Sequence, residues 1–179
     1  IHELLKTFAD SKTEDLHNIA KNSYACAFLQ ILLKNSDPKS AEWNKLISTI
    51  LGFQINNKKQ DEKKESYEKK YFLELTQEHG QSGTWLLESI LESATDNIVE
   101  KIRKNCFDGV CGQLCNHPIG NYALQKLLVR IKTKEQYHAI LNELIENKAK
   151  NDKDELNSFQ FALLQGRIGV IWRLVQVAG

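Results

Sequence analysis

The 179-residue sequence predicts an all-α fold, and three observations carry this prediction. Gly and Pro are rare, at nine and two residues. Apolar residues recur three and four positions apart in many short segments, whereas the alternation typical of strands is scarce. Many short helices with short connections indicate a helical bundle or an α-solenoid.

In chain order, each predicted helix is a segment whose apolar residues share one face. Two polar segments, 54–70 and 147–155, are expected to be solvated loops or extended helix ends, typical of tolerated surface insertions. The predicted helices are 13–21, 24–34, 41–51, 71–79, 84–93, 96–104, 107–116, 121–131, 134–147, 156–164 and 169–177.

Internal repetition decides in favour of a solenoid. In three segments a small residue is followed by two apolar pairs one helical turn apart, so each helix packs in the same way. The segments are SYACAFLQILLK (23–34), QSGTWLLESILE (81–92) and HPIGNYALQKLL (117–128), with Ala25, Gly83 and Gly120 at the small position.

The spacing of these segments predicts units of about three helices, with the motif on the middle helix. Gly83 and Gly120 lie 37 residues apart, and the 58 residues between Ala25 and Gly83 include the polar insertion. A weaker fourth copy, RIGVIWRLVQVA (167–178), places Gly169 in the glycine column.

These units resemble a known family. A three-helix repeat whose second helix opens with HPxGNYxLQ is similar to the Pumilio (Puf) repeat, and HPIGNYALQKLL and NSYACAFLQILLK (22–34) carry the likeness. The looser copies at 82–94 and 166–178 are more similar to the divergent nucleolar branch, the nucleolar protein nine family of small-subunit ribosome biogenesis.

The resemblance implies a right-handed α-solenoid of Puf-like repeats. The chain starts at Ile1 and lacks Met, so we expect a piece of a longer protein. The expected parts are 1–10 (end of a preceding repeat), 11–53 (repeat), 54–70 (polar insertion), 71–105 (repeat), 106–147 (repeat) and 148–179 (degenerate C-terminal repeat).

Three positions that follow the small residue are expected to lie on one helix face. They are the first and second residues after it and the fifth residue after it, one helical turn further on. Two polar side chains one turn apart can hydrogen-bond a base edge, and a planar side chain beside them can stack between bases. The three triplets are Cys26, Ala27 and Gln30; Thr84, Trp85 and Glu88; and Asn121, Tyr122 and Gln125.

Donor and acceptor matching, together with the code of the family that the chain resembles, predicts the bases. Asn121 with Gln125 suits uracil, and Glu88 as an acceptor suits the N–H groups of guanine. Cys26 with Gln30 is similar to family pairs that favour adenine. Because family RNAs run antiparallel to the repeats, the expected order is 5′-U-G-A-3′.

Each residue also has a plainer interpretation. Asn121 and Gln125 fit an ordinary solvated helix face, Trp85 fits a core position, and Glu88 fits a surface charge. In the fourth copy the three positions hold apolar residues, so no base readout is expected there. They are Val170, Ile171 and Leu174.

The formal net charge of +1 conceals a charge asymmetry. Residues 71–100 carry six acidic side chains and no Lys or Arg, whereas 101–134 carry seven basic side chains and one acidic side chain. Lys126 and Arg130 are therefore candidate phosphate contacts, with pairing within the helix surface as the alternative.

Other functional classes find little support. No membrane span, signal peptide, phosphate-binding loop or paired catalytic carboxylates are visible in the sequence, so we expect no catalytic residues, cofactor or small-molecule substrate. Cys106, Cys111, Cys115 and His117 lack the spacing of a structural zinc site, and GQSGT (80–84) lacks the last glycine of a nucleophile elbow.

The sequence thus predicts a non-enzymatic protein that binds single-stranded RNA. The resemblance implies pre-ribosomal RNA as partner, with pre-ribosomal proteins as further partners, in the nucleolus or nucleus. The alternatives are a cytoplasmic Puf regulator of mRNA 3′-untranslated regions and a helical-repeat scaffold. The scaffold would bind a protein through Trp85, Tyr122 and Trp172.

Overall fold

The computed structural model describes residues 1–53, 62–78, 81–147 and 156–178. Within these residues every regular element is a helix, which confirms the predicted all-α class. The chain divides into two compact units, Ile1–Cys106 and Phe107–Gly179.

The first unit is built around two middle helices that pack side by side, α3 and α6. Helix α1 packs on α4, α2 on α3, α4 and α6, and α5 on α6. The helices are α1 (His2–Ala9), α2 (Thr13–Lys21), α3 (Ser23–Lys34), α4 (Ala41–Leu51), α5 (Glu62–Gln77), α6 (Ser82–Ser93) and α7 (Asp96–Ile102), followed by a π-helical turn (Arg103–Phe107).

The second unit pairs its own middle helices, α9 and α12, in the same side-by-side manner. Helix α8 packs against α9, α10 and α11. The Glu143 carboxylate on α10 accepts the backbone N–H groups of Gly109 and Cys111 over 3.0 and 2.7 Å, which fixes the start of α8. The helices are α8 (Cys111–Cys115), α9 (Gly120–Val129), α10 (Lys134–Glu146), α11 (Ser158–Leu164) and α12 (Ile168–Ala178).

Local chemistry accounts for several helix ends. Asn22 begins α3 by accepting the N–H groups of Tyr24 and Ala25, each over 3.0 Å. Ser40 begins α4 in the same way, and Gly52 ends it with a φ of 77°, a conformation that favours glycine.

Two predictions at the centre of the chain were inaccurate. The helix predicted over 96–104 ends at Ile102 and gives way to the π-helical turn. The helix predicted over 107–116 begins only at Cys111, because Gly109 has a φ of 81° and interrupts it. Within the polar segment 54–70, α5 already begins at Glu62, and 54–61 lies outside the described residues, as does most of 147–155.

Close packing makes one glycine indispensable. A Cβ on Gly83 would lie 1.9 Å from the carbonyl oxygen of Leu75, so α5 crosses α6 at this point with no room for a side chain. This crossing sets the orientation of α6 and of the triplet that it carries.

Candidate nucleic-acid interface

The second position of each predicted triplet points away from the core. Trp85 and Tyr122 are each 51% exposed, and Ala27 is also exposed. Gly120 and Leu124, at two positions before and two positions after Tyr122, are buried. Each lies about 200° away from Tyr122 around the helix axis. The aromatic ring therefore stands on the open face of α9, opposite the core.

The first position of each triplet is buried instead. The Cys26 thiol donates to the carbonyl oxygen of Ser82 over 3.1 Å, which joins α3 to α6. The Thr84 hydroxyl donates to the carbonyl oxygen of Thr76 over 3.2 Å, which joins α6 to α5. The expected common exposure of the triplets is thus absent, and base contacts by these side chains stay a prediction.

Asn121, the third member of that buried set, is held by the turn that precedes α9. Its side-chain amide donates to the carbonyl oxygens of His117 and Pro118 over 2.7 and 2.9 Å. Its oxygen accepts the Gln125 amide over 2.8 Å. Asn121 therefore both closes the turn and orients its neighbour one turn later.

The third position of each triplet is half-buried at the edge of the open face. Gln125 and Gln30 each hydrogen-bond the first residue of their own triplet, Gln30 to the Cys26 sulfur over 3.5 Å. The hydroxyl of Ser89 on α6 also donates to Oε1 of Gln30 over 3.4 Å. Glu88 is half-buried on α6.

The His117–Pro118 step sets the start of α9. Nδ1 of His117 accepts the backbone N–H groups of Ile119 and Gly120 over 3.2 and 3.0 Å. Burial and the nearby positive charge of Arg167 lower the pKa of His117, in keeping with its acceptor role. A neutral His117 thereby helps to place Tyr122 on the open face.

The two candidate surfaces differ in charge. Helix α9 has no acidic residue. Lys126 lies on α9 and Arg130 directly follows it, and both residues are half-buried. Helix α6 carries Glu88 and Glu92, and the Glu92 carboxylate pairs with Lys34 of α3 over 2.9 Å. The surface of α9 is thus the better match for a phosphate backbone.

The three clustered cysteines whose spacing does not fit a zinc site are core residues. Cys106, Cys111 and Cys115 are buried, and burial raises the pKa of Cys115 to about 12. Among the described residues, no group of three His, Cys, Asp or Glu side chains could hold a metal ion.

No helix within the described ranges is long and apolar enough to cross a membrane. The three predicted triplets lie on α3, α6 and α9, and each has one buried, one exposed and one half-buried residue.

Comparison with known protein families identifies a family of helical repeats. The NOP9-like PUF repeat domain matches residues 1–179. The chain belongs to this family. Its membership confirms the resemblance inferred from the HPIGNYALQ motif, including the assignment to the NOP9-like branch.

Solved structures show the same fold for this NOP9-like chain. The structure of APUM23-GGAGUUGACGG aligns with a TM-score of 0.74 at 23% identity, covering 98% of this chain and 29% of that chain. APUM23-GGAUUUGACGG aligns with a TM-score of 0.72 at 22% identity, covering 95% and 28%. The deletion-of-insert-region form with GGAAUUGACGG aligns with a TM-score of 0.74 at 22% identity, covering 98% and 30%.

These alignments confirm the predicted α-solenoid of Puf repeats. The NOP9-like chain spans less than a third of the length of the APUM23 chains that it matches. No curated protein sequence matches the chain significantly.

Proposed function

We propose that this NOP9-like chain binds single-stranded RNA along the open faces of its middle helices. The observation that carries the proposal is the arrangement on α9. There the exposed Tyr122 stands beside the hydrogen-bonded pair Asn121 and Gln125, on a helix without acidic residues. A base stacked on the tyrosine would have its polar edge within reach of the glutamine amide.

The repeats that present these residues would be 11–53, 71–105 and 106–147, followed by the degenerate repeat 148–179. In this scheme Tyr122 and Trp85 stack on bases, each stabilising binding by about 1–3 kcal/mol. Ala27 contributes only a small surface. The half-buried Gln30, Glu88 and Gln125 contact base edges. Lys126 and Arg130 neutralise phosphates.

The buried Cys26, Thr84 and Asn121 would act chiefly by orienting their neighbours. Each is hydrogen-bonded within its own unit, to a backbone carbonyl of a neighbouring helix or turn. A base edge reaching Asn121 would have to share its oxygen with the Gln125 amide. Specificity therefore falls mainly on the third position of each triplet.

The proposed base order remains 5′-U-G-A-3′, read from the third repeat to the first. Each of the three RNA sequences named with APUM23 contains U-G-A. Since APUM23 is under 25% identical to this chain, that agreement guides the choice of probe, GGAAUUGACGG, and leaves the base assignments to experiment.

The biological role would be in small-subunit ribosome biogenesis, on pre-ribosomal RNA and near pre-ribosomal proteins, in the nucleolus or nucleus. Membership of the NOP9-like family supports this role. Binding without catalysis would sequester or shape the RNA and so time its cleavage by a nuclease. A cytoplasmic mRNA regulator fits less well, because the four triplets differ so much from one another.

Fluorescence anisotropy of labelled GGAAUUGACGG at fixed salt tests the proposal. The double variant Tyr122→Ala/Gln125→Ala should weaken binding at least tenfold, with the helical circular dichroism unchanged. Tyr24→Ala is the matched control, because Tyr24 is 90% exposed but lies outside the triplets. Equal binding by wild type and double variant would refute the α9 surface and favour a protein-binding scaffold.

A further inference from the structure

The exposure pattern of α12 differs from the pattern that the glycine alignment predicts. Val170 and Leu174 are buried, and Trp172 between them is 62% exposed. Each buried residue lies two positions from the tryptophan, about 200° around the helix. Trp172 therefore faces directly away from the core of the second unit.

Helix α9 shows this same order of buried, exposed and buried positions at Gly120, Tyr122 and Leu124. Matching by burial thus pairs Trp172 with Tyr122, one residue beyond the pairing given by Gly169. The glycine alignment had placed Ile171 at this position. In the corrected register, the outward residue of the fourth repeat is aromatic.

Helices α9 and α12 contact each other close to both outward positions. A Cβ on Gly169 would lie 2.4 Å from Nε2 of Gln125, so these two residues meet where the helices run side by side. Gln125 is three residues from Tyr122, and Gly169 is three residues from Trp172. Both outward positions thus flank the same line of contact.

Charge on these two helices is complementary to a polyanion. Neither α9 nor α12 contains Asp or Glu, and they carry Lys126 and Arg173. Arg173 follows Trp172 directly, and its guanidinium donates to the Gln176 amide oxygen over 2.8 Å. An aromatic surface beside cations and without carboxylates suits single-stranded nucleic acid better than an acidic or purely apolar partner.

We propose that Trp172 is a further RNA-contact residue, on which an unpaired base stacks next to the base held by Tyr122 and Gln125. Its neighbours in the corrected triplet, Ile171 and Val175, have no side-chain donor or acceptor. The fourth repeat therefore adds affinity without base preference. This inference rests on the proposed RNA binding and names a site within it.

Tryptophan fluorescence offers a direct test on the whole 179-residue chain. Trp43 is fully buried, so the variant Trp85→Phe leaves Trp172 as the exposed tryptophan. Titrating this variant with GGAAUUGACGG should quench its emission and shift the spectrum, because the indole becomes covered by a base. Adding Trp172→Phe should abolish the RNA-dependent change.

Affinity measurements supply the second readout. Trp172→Ala should weaken binding about 5- to 150-fold, by the same factor for GGAAUUGACGG and for a scrambled RNA. Trp172→Phe should retain most of the affinity, whereas Trp172→Leu, which keeps an apolar surface without a large ring, should not. Leu164→Ala is the control, since Leu164 is an exposed apolar residue on α11.

The outcomes separate this inference from the proposal that it extends. If Tyr122→Ala weakens binding but Trp172→Ala matches Leu164→Ala, the RNA-binding proposal stands and the role of Trp172 is refuted. If wild type binds no RNA, both fail. If Trp172→Leu binds as well as wild type, the position is an apolar protein contact and the stacking role is refuted.

Discussion

The side-chain amide of Gln125 donates to the side-chain oxygen of Asn121 over 2.8 Å. Asn121 is buried and tied to the turn before α9, whereas Gln125 lies at the edge of the open face. One residue is thus an anchor and the other is the group available to a ligand, although both were predicted to contact a base.

This division predicts different effects for two alanine variants. Gln125→Ala should weaken RNA binding about tenfold and change the free energy of unfolding by less than about 0.5 kcal/mol. Asn121→Ala should weaken binding and also lower the free energy of unfolding by about 1–2 kcal/mol, because the carbonyl oxygens of His117 and Pro118 lose the donor that holds the turn. Fluorescence anisotropy measures the RNA affinity of each variant, and urea unfolding measures its free energy of unfolding. Full RNA affinity in Gln125→Ala would contradict the assignment.

Two glycine variants should separate stability from binding. Gly83→Ala should lower the free energy of unfolding by about 3 kcal/mol, because its Cβ would meet the Leu75 backbone at 1.9 Å. Gly169→Ala should lower the free energy of unfolding by less than about 1 kcal/mol, since the atoms nearest to its Cβ belong to the end of the Gln125 side chain, but it should reduce RNA affinity by displacing that amide. Equal destabilisation in urea unfolding would contradict this reasoning.

Protonation of His117 should destabilise the second unit. The pKa of His117 lies below its ordinary value of 6.5 in the folded chain, through burial first and the charge of Arg167 second. The unfolded chain therefore binds a proton more readily as the pH falls below about 6.5, so stability is full above that pH and declines below it. Urea unfolding from pH 7.5 to 5 should show this decline.

The variant His117→Ala is less stable at pH 7.5, but it lacks the imidazole whose protonation destabilises the wild type. The slope of its free energy of unfolding against pH should therefore be shallower. It should not vanish, because burial also lowers the pKa of His17 in the first unit. An identical slope in wild type and variant would show that the N–H groups of Ile119 and Gly120 do not depend on a neutral imidazole.

Much of the fold could be predicted because local signals and packing agree. Helix α4 was predicted at its observed bounds, 41–51, where Ser40 caps its start and Gly52 ends it. The interruption before α8 was missed, since the turn at Gly109 depends on Glu143, 34 residues away, accepting its N–H.

The outward aromatic positions were also predictable, because Trp85 and Tyr122 align in sequence. Burial of Cys26 was not, since its thiol contacts Ser82 on a helix 56 residues away. Trp172 was expected to be exposed only in the protein-scaffold alternative and was not aligned with Tyr122. The sequence alignment paired Gly169 with Gly120. In the structure, Gly169 leaves room for the side chain of Gln125 and does not hold the position that Gly120 has on α9.

Glu88 gives a test of base specificity that is independent of α9. If its carboxylate accepts guanine N–H groups, Glu88→Gln should reduce the preference for U-G-A over U-A-A by about tenfold, since a charged acceptor is lost. The overall α-helical circular dichroism should not change. Unchanged discrimination in competition binding would identify Glu88 as an ordinary surface charge.

Photo-crosslinking would show whether RNA lies on the open face of α9. RNA carrying 4-thiouridine in place of the uracil of U-G-A would be irradiated with the wild-type chain, and the linked peptide mapped by mass spectrometry. We expect crosslinks within 117–130, centred on Tyr122 and lost in Tyr122→Ala. Crosslinks confined to residues outside α9 and α12 would contradict it.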